Sequence, residues 1–326
     1  MPDTSRARIL AVVRIVIAIV VLAVVVWGVA RSWDEIVVAL RRVDVLTVVA
    51  ATALAAIGTG LTMVGWRVLL ADLGSPLHPA PAASVFFVGQ LGKYLPGSVW
   101  TVVAQADMAA RLGVPRRRTG VAGLVALGIS VLTGVLVAVP AVPYLVRGSG
   151  VGLEVLLGLV ALVLLGVCWP PLLNRMVAVG LRVLRREPLE HELSPRAVVV
   201  TVGCYAVAWL CFGLHTLVLT RAVGLEGRDG STAALTGYAL AGVAGMVAIV
   251  LPAGLGAREG LLTLLLGPFL PAGGGVAVAI LSRFVVTVVD VGVAGFGWVY
   301  GRRHRLLTDE HVIDLVTPDQ PRPPAR

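Results

Sequence analysis

Cysteine is scarce in this chain of 326 residues: the three, Cys168, Cys204 and Cys211, all sit in apolar stretches. They form no disulfide framework and match no zinc spacing, so they read as structural thiols. Charge is scarce as well, at 14% of residues, against roughly 25% in soluble domains. The sequence has no HExxH, no nucleophile elbow and no P-loop, which removes the commonest hydrolytic and phosphoryl-transfer machineries. No basic stripe with interleaved aromatics is present, so the net charge of +9 does not point to nucleic acid. No carboxylate pair stands out for acid–base work or for holding a metal. No catalytic residue, metal or cofactor is therefore expected.

Apolar residues fill the space that these absences leave. The chain is 58% hydrophobic, with a mean hydropathy of +0.93. A water-soluble fold has nowhere to place so much Val, Leu, Ala and Gly. Apolar runs at 9–30, 44–65, 118–140, 150–169, 197–220 and 275–300 are each long enough to cross a hydrocarbon core of ~30 Å as a helix. The first run exceeds the ~7–15 residues of a secretory signal core, so it is expected to be retained. The expected fold class is an all-α polytopic membrane protein with six transmembrane helices. Residues 1–300 form one membrane domain, and 301–326 form a polar, Pro-rich, disordered cytoplasmic tail.

Two further apolar stretches, 84–110 and 233–270, are interrupted. The first breaks at Leu95-Pro96-Gly97-Ser98, the second at Leu251-Pro252-Ala253-Gly254-Leu255-Gly256. Proline removes a helix donor and glycine relaxes the backbone, so each break ends one helix and begins another. Non-helical backbone at membrane depth survives only inside protein or beside water. Both stretches are expected to be re-entrant or broken hairpins facing a cavity.

The breaks repeat. Pro96 and Pro252 lie 156 positions apart, and each break is preceded by two expected spans and followed by one. Two repeats are expected, about 1–145 and 146–300. Three crossings per repeat invert the second copy, which places a binding site at the repeat interface. With the N-terminus inside, segments assigned to the cytoplasm carry 16 arginines, among them Arg67, Arg116, Arg117, Arg118 and Arg196. The outer loops carry 6, among them Arg41, Arg42 and Arg221. The positive-inside rule then predicts cytoplasmic N- and C-termini.

Charges inside spans are costly and face a cavity or a partner. Lys93 precedes the first break, beside Gln90 and Tyr94; Gln105 and Asp107 follow it. Arg258 and Glu259 follow the second break, and Arg283 and Asp290 share one face of the last span. A helix restarting after Pro96-Gly97 offers free N–H groups with Ser98 as cap, a setting that favours phosphate or carboxylate. Lys93 adds a point charge and Arg258 a bidentate grip. The competing structural readings are that Lys93 and Arg258 pair with Asp107, Glu259 or Asp290 to pin the hairpins. Arg283 and Asp290 are then a structural pair, and Glu259 complements the helix dipole. His215 is expected to hydrogen-bond between helices, and Gly292, Gly295 and Gly297 to permit close packing. Trp27, Trp33, Trp66 and Trp298 read as interfacial anchors.

Gly92-Lys93-Tyr94-Leu95-Pro96-Gly97-Ser98-Val99-Trp100 and Pro252-Ala253-Gly254-Leu255-Gly256-Ala257-Arg258-Glu259 resemble the signatures of the lysylphosphatidylglycerol synthase transmembrane family. This is the flippase-like region of multiple peptide resistance factors and of stand-alone relatives, and the resemblance covers about residues 10–300. It implies a multi-pass plasma-membrane protein that moves an aminoacylated phospholipid between leaflets. The implied site residues are Lys93, Tyr94, Pro96, Gly97, Trp100, Gly254, Gly256, Arg258 and Glu259, with Ser98 beside them. Ser98 stands where the family often has a basic residue, and Ala253 where it often has glycine. The soluble synthase domain is absent from this chain, so synthesis of the lipid is not expected. The expected function is translocation of an anionic, aminoacylated or polyprenyl-linked lipid, with that lipid and envelope-lipid biosynthetic enzymes as partners. A membrane transferase or accessory factor using Asp107 and Glu259, and a scaffold without substrate, are the alternatives.

Overall fold

The computed structural model describes residues 30, 33–94, 100–145, 169–183, 189–248 and 254–303. The expected spans 9–30 and 150–169 and the tail 301–326 lie almost wholly outside these residues. So do Cys168, Trp27, Pro96, Gly97, Ser98 and Pro252. Every regular element among the described residues is helical. In chain order these are α1 (Trp33–Leu40), α2 (Val45–Asp72), α3 (Pro79–Gln90), a 3-10 turn (Leu91–Tyr94), α4 (Trp100–Ala110) and α5 (Arg116–Ala138). A 3-10 turn (Val139–Ala141) and α6 (Val142–Leu145) close the first half, followed by α7 (Pro170–Val183), α8 (Pro195–Val223) and α9 (Arg228–Val247). The chain continues as α10 (Ala257–Leu266), a 3-10 turn (Gly267–Phe269) and α11 (Gly274–Arg303).

Five segments among the described residues are long and apolar enough to span a membrane: Val45–Asp72, Arg116–Tyr144, Pro195–Val223, Arg228–Val247 and Gly274–Arg303. Four coincide with expected spans. The fifth, α9, belongs to the second interrupted stretch; its 20 residues contrast with the 12 of α3 in the first.

Helices α2 and α8 share the most extensive interface, and they run antiparallel. Thr201 Oγ1 donates to Gly65 O at 3.3 Å, Ser194 N donates to Asp72 Oδ2 at 2.7 Å, and Arg42 Nη1 donates to Val223 O at 3.3 Å. Small residues bring the two axes close: a Cβ on Gly65 would lie 2.7 Å from Tyr205 Cε2, and one on Gly58 would lie 3.2 Å from Ala208 O. Lipid tails offer no hydrophobic drive between helices, so such close packing supplies the association. Gly213 goes further, since a Cβ there would sit 1.8 Å from Leu235 O on α9. In the last helix Gly297 sits against Ser84 Cα, whereas a Cβ on Gly292 or Gly295 meets nothing within 4 Å among the described residues.

The two interrupted stretches fold back on themselves. In the first, a Cβ on Gly89 would lie 2.5 Å from Gln105 Cγ, and one on Gly92 would lie 2.7 Å from Thr101 N. The close approach of α4 to the 3-10 turn thus requires Gly92. In the second, a Cβ on Gly254 would lie 2.4 Å from Gly245 Cα, and Gly230 at the start of α9 meets Phe269 beyond α10. Gly254 and Gly256 have φ of +67° and +85°, values that L side chains adopt at a cost. Glu259 then starts α10 by accepting from Gly256 N at 2.7 Å, a side chain in the first turn reaching back to an unpaired amide.

The polar loops gather at two ends of the bundle. At one end Arg118 reaches Gly74 O at 2.8 Å and pairs with Glu190, Asp72 holds Ser194, and Asn174 Nδ2 donates to Leu193 O. At the other end Arg42 meets Val223, and Arg221 Nη2 donates to Ser231 Oγ at 2.9 Å. One buried cluster centres on Trp66, Leu69, Phe86 and Val198, the other on Trp209, Leu219, Tyr238 and Val285.

Candidate functional site

A cavity of about 250 Å³ lies where the two clusters meet. It is somewhat smaller than the ~300–1,000 Å³ of pockets for drug-sized ligands. Its wall combines α2 (Thr59, Thr62, Trp66), the first hairpin (Gln90, Lys93, Tyr94, Gln105), α8 (Tyr205, Trp209, Phe212), the second hairpin (Tyr238, Gly254, Arg258) and α11 (Arg283, Asp290).

The charges are arranged across the two halves of the chain. Lys93 Nζ lies 2.7 Å from Asp290 Oδ2, and Tyr94 Oη donates to the same oxygen at 2.7 Å. Asp290 is 2% exposed, so this contact links the first hairpin to α11 with little solvent screening. On the other side Arg283 Nη1 donates to Glu259 Oε1 at 3.1 Å, and Arg258 Nε lies 3.5 Å from the same oxygen. Arg258 Nη1 donates to Tyr238 Oη at 3.1 Å, and its guanidinium lies 5.4 Å from the Tyr238 ring centroid. The Arg283 guanidinium lies 5.8 Å from the Tyr94 ring. Cations over aromatic faces gain from the ring quadrupole, most strongly when water is excluded. Three cations and two carboxylates leave this cluster one net positive charge. Arg258 Nη2 is buried and has no hydrogen-bond partner among the described residues.

Of the sequence-predicted residues, Gln90, Lys93, Tyr94, Gln105, Gly254, Arg258, Arg283 and Asp290 line the cavity. Glu259 stands behind the wall and holds the two arginines, while Gly256 sets the start of α10. Trp100 is 46% exposed and is not part of the wall. Pro96, Gly97 and Ser98 lie outside the described residues. Asp107 departs from expectation: its Oδ1 accepts from Arg116 Nε at 2.7 Å on an exposed surface. Asp107 and Glu259 therefore have separate partners and do not form the carboxylate pair that a transferase reading invoked. The short α4 turns Asp107 outward while presenting Gln105, two residues earlier, at 2% exposure.

Several wall residues escaped the sequence reading. Trp66 was read as an interfacial anchor, but it is fully buried, packs 5.5 Å from Phe86 between ring centroids, and lines the cavity. Its neighbour in the sequence, Arg67, explains the error, because Trp next to Arg near a span end looks like an interface signal. Tyr205, Trp209, Phe212 and Tyr238 carried no sequence signal beyond being aromatic within apolar runs. Trp33 and Trp298 are exposed. His215 bridges helices as expected: its Nε2 lies 2.9 Å from Ser282 Oγ, joining α8 to α11.

Fold and cavity together define a polytopic helical membrane protein with a charged site between its two interrupted helical stretches. Residues 12–294 match the family described as the lysylphosphatidylglycerol synthase TM region, and the chain belongs to that family. No curated protein matches the chain. The family places the protein in lipid-related processes of the membrane.

Proposed function

We propose that this protein is a flippase-like transporter that passes an anionic lipid headgroup through the central cavity while the acyl chains stay in the bilayer. The observation that carries this reading is the partly buried cluster of Lys93, Arg258 and Arg283 on the cavity wall, one net charge in excess among the described residues, with Arg258 Nη2 unpaired there. A buried arginine donor without a partner is costly, and a phosphate oxygen relieves that cost with a charge-assisted hydrogen bond. Aminoacylated and polyprenyl-linked lipids both carry such a phosphate.

Inverted repeats are part of the proposal. The antiparallel run of α2 against α8, each the first long described helix of its half, supports them. So does the way α9 and α10 begin and end beside Gly230 and Phe269 at one end of the bundle, as a re-entrant hairpin would. Arg67, Arg118 and Arg196 belong to one end, and Arg42 and Arg221 to the other. The arginine-rich end is assigned to the cytoplasm by the positive-inside rule, which puts both termini inside the plasma membrane.

The test is reconstitution in liposomes, with fluorescent lipids in the inner leaflet and a quencher outside. Anionic lipid should gain access to the quencher faster than in empty liposomes. Lys93→Ala and Arg258→Gln should slow transfer about tenfold or more while leaving the thermal unfolding profile cooperative. Rates equal to empty liposomes for anionic, aminoacylated and polyprenyl lipids alike would overturn the proposal.

A further inference from the structure

Four polar side-chain atoms among the described residues are buried without a hydrogen-bond partner: Trp66 Nε1, Ser84 Oγ, Thr119 Oγ1 and Arg258 Nη2. Ser84 and Thr119 do not line the cavity; Trp66 and Arg258 both do. Both cavity atoms are N–H groups that can only donate. Native interiors seldom leave such donors unmatched, so two residues of one cavity wall each carry a donor that lacks an acceptor among the described residues.

The two donors differ in kind. Arg258 belongs to the charged side, where every charged wall residue comes from the hairpins or α11: Lys93, Arg258, Arg283 and Asp290. Trp66 belongs to the α2 side, whose wall residues Thr59, Thr62 and Trp66 are uncharged. Thr59 Oγ1 donates to Ala55 O and Thr62 Oγ1 to Thr59 O, so both hydroxyl oxygens remain acceptors toward a ligand. The site thus joins a guanidinium for an anion to an indole N–H and two hydroxyl acceptors for neutral oxygen groups. Each carboxylate of the cluster already holds a cation, Asp290 holding Lys93 and Glu259 holding Arg283. An incoming ammonium group would find no unengaged counter-charge and a net positive field, which burial makes more repulsive.

Resting on the transport reading above, we propose that the headgroup carried is a monoanionic phosphodiester bearing uncharged hydroxyls, and that aminoacylated headgroups are discriminated against. The phosphate accepts from Arg258 Nη2. A hydroxyl accepts from Trp66 Nε1 and donates to a threonine of α2. A glycerol phosphodiester lipid and a glycosyl phosphodiester of a polyprenol share this chemistry.

The experiment compares four lipids at equal loading in the same liposomes: phosphatidylglycerol, phosphatidylmethanol, lysyl-phosphatidylglycerol and a glucosyl polyprenyl phosphate. Phosphatidylmethanol keeps the phosphodiester charge and lacks the hydroxyls. Transfer of phosphatidylglycerol or of the glucosyl lipid should exceed that of phosphatidylmethanol by about fivefold, the worth of one net hydrogen bond. Whichever of the two is faster identifies the source of the headgroup. Lysyl-phosphatidylglycerol should be at least about tenfold slower than phosphatidylglycerol. Trp66→Phe, which keeps a ring and deletes the N–H, should bring the ratio of hydroxylated-lipid to phosphatidylmethanol transfer down to about one. If that variant fails to fold, the wild-type ranking alone decides. Equal rates for phosphatidylmethanol and both hydroxylated lipids, or a lysyl lipid as fast as phosphatidylglycerol, overturn this inference and leave transport standing. No transfer of any lipid overturns the transport reading itself.

Discussion

Glu259 holds both arginines of the cavity wall, Arg258 and Arg283, and replacing it by glutamine isolates the effect of its charge. The amide oxygen of glutamine can keep the 2.7 Å contact to Gly256 N, so the start of α10 survives. What is lost is the attraction to Arg283 Nη1 at 3.1 Å and to Arg258 Nε at 3.5 Å. The three side chains are 17%, 20% and 11% exposed. Each contact has a gross Coulomb energy of about 5 kcal/mol at an effective dielectric of ~20. Desolvating the carboxylate offsets several kcal/mol of that sum. Removing one member of a buried network leaves two arginines unneutralised, so Glu259→Gln should destabilise the protein by about 3 kcal/mol. The sharper quantity is the coupling between Glu259 and Arg283. A double-mutant cycle of Glu259→Gln, Arg283→Gln and the pair, each unfolded by titration with sodium dodecyl sulfate at fixed temperature, should return about 2 kcal/mol. A coupling below about 0.5 kcal/mol would mean that solvent screens this contact as it does an exposed pair. The low-dielectric cluster on which anion binding rests would then be refuted.

Other predictions follow from single contacts. Gly213→Ala places a Cβ 1.8 Å from Leu235 O and should cost about 3 kcal/mol by separating α8 from α9. Gly292→Ala meets nothing within 4 Å and should unfold within about 1 kcal/mol of wild type, on the stabilising side; the same detergent titration reads both. Asp72→Ala removes the acceptor for Ser194 N and Oγ and should lower stability by about 1–2 kcal/mol, with faster amide exchange in the first turn of α8. Asp44 precedes the α2 span; hydrogen bonding from the Thr47 side chain, and from Thr47 N at 2.7 Å, holds its carboxyl below the usual carboxylate range. A depressed folded value means the cap is fully formed above the unfolded value of ~3.9 and lost as pH falls through the folded one. Amide exchange at Thr47, corrected for its intrinsic pH dependence, should therefore rise only below about pH 4; Asp44→Asn should abolish that dependence.

Hydropathy was enough to place Val45–Asp72, Arg116–Tyr144, Pro195–Val223 and Gly274–Arg303, because a helix that must cross ~30 Å of hydrocarbon records its length as an uninterrupted apolar run. Intramembrane charge was enough to single out Lys93, Arg258, Glu259, Arg283 and Asp290, because burying a charge is tolerated only where it has a partner or a cavity. Glycine marked where the interrupted stretches close on themselves, since Gly92 and Gly254 permit backbone approaches that a Cβ would block. The pairing itself was not legible. Tyr94 and Asp290 lie 196 positions apart, and only packing decides whether the adjacent Lys93 meets Asp107, Glu259 or Asp290. Trp66 is the sharper case. By its neighbours it belongs at the membrane surface, yet the approach of α2 to α8 through Gly58 and Gly65 carries it into the interior. Local composition states what a residue tolerates, whereas the antiparallel register of two helices separated by over 120 residues states what it touches. The chain's class and its charged residues are therefore written in the order of its amino acids. The cavity that joins an arginine of one half to a tryptophan of the other exists only once the helices have packed.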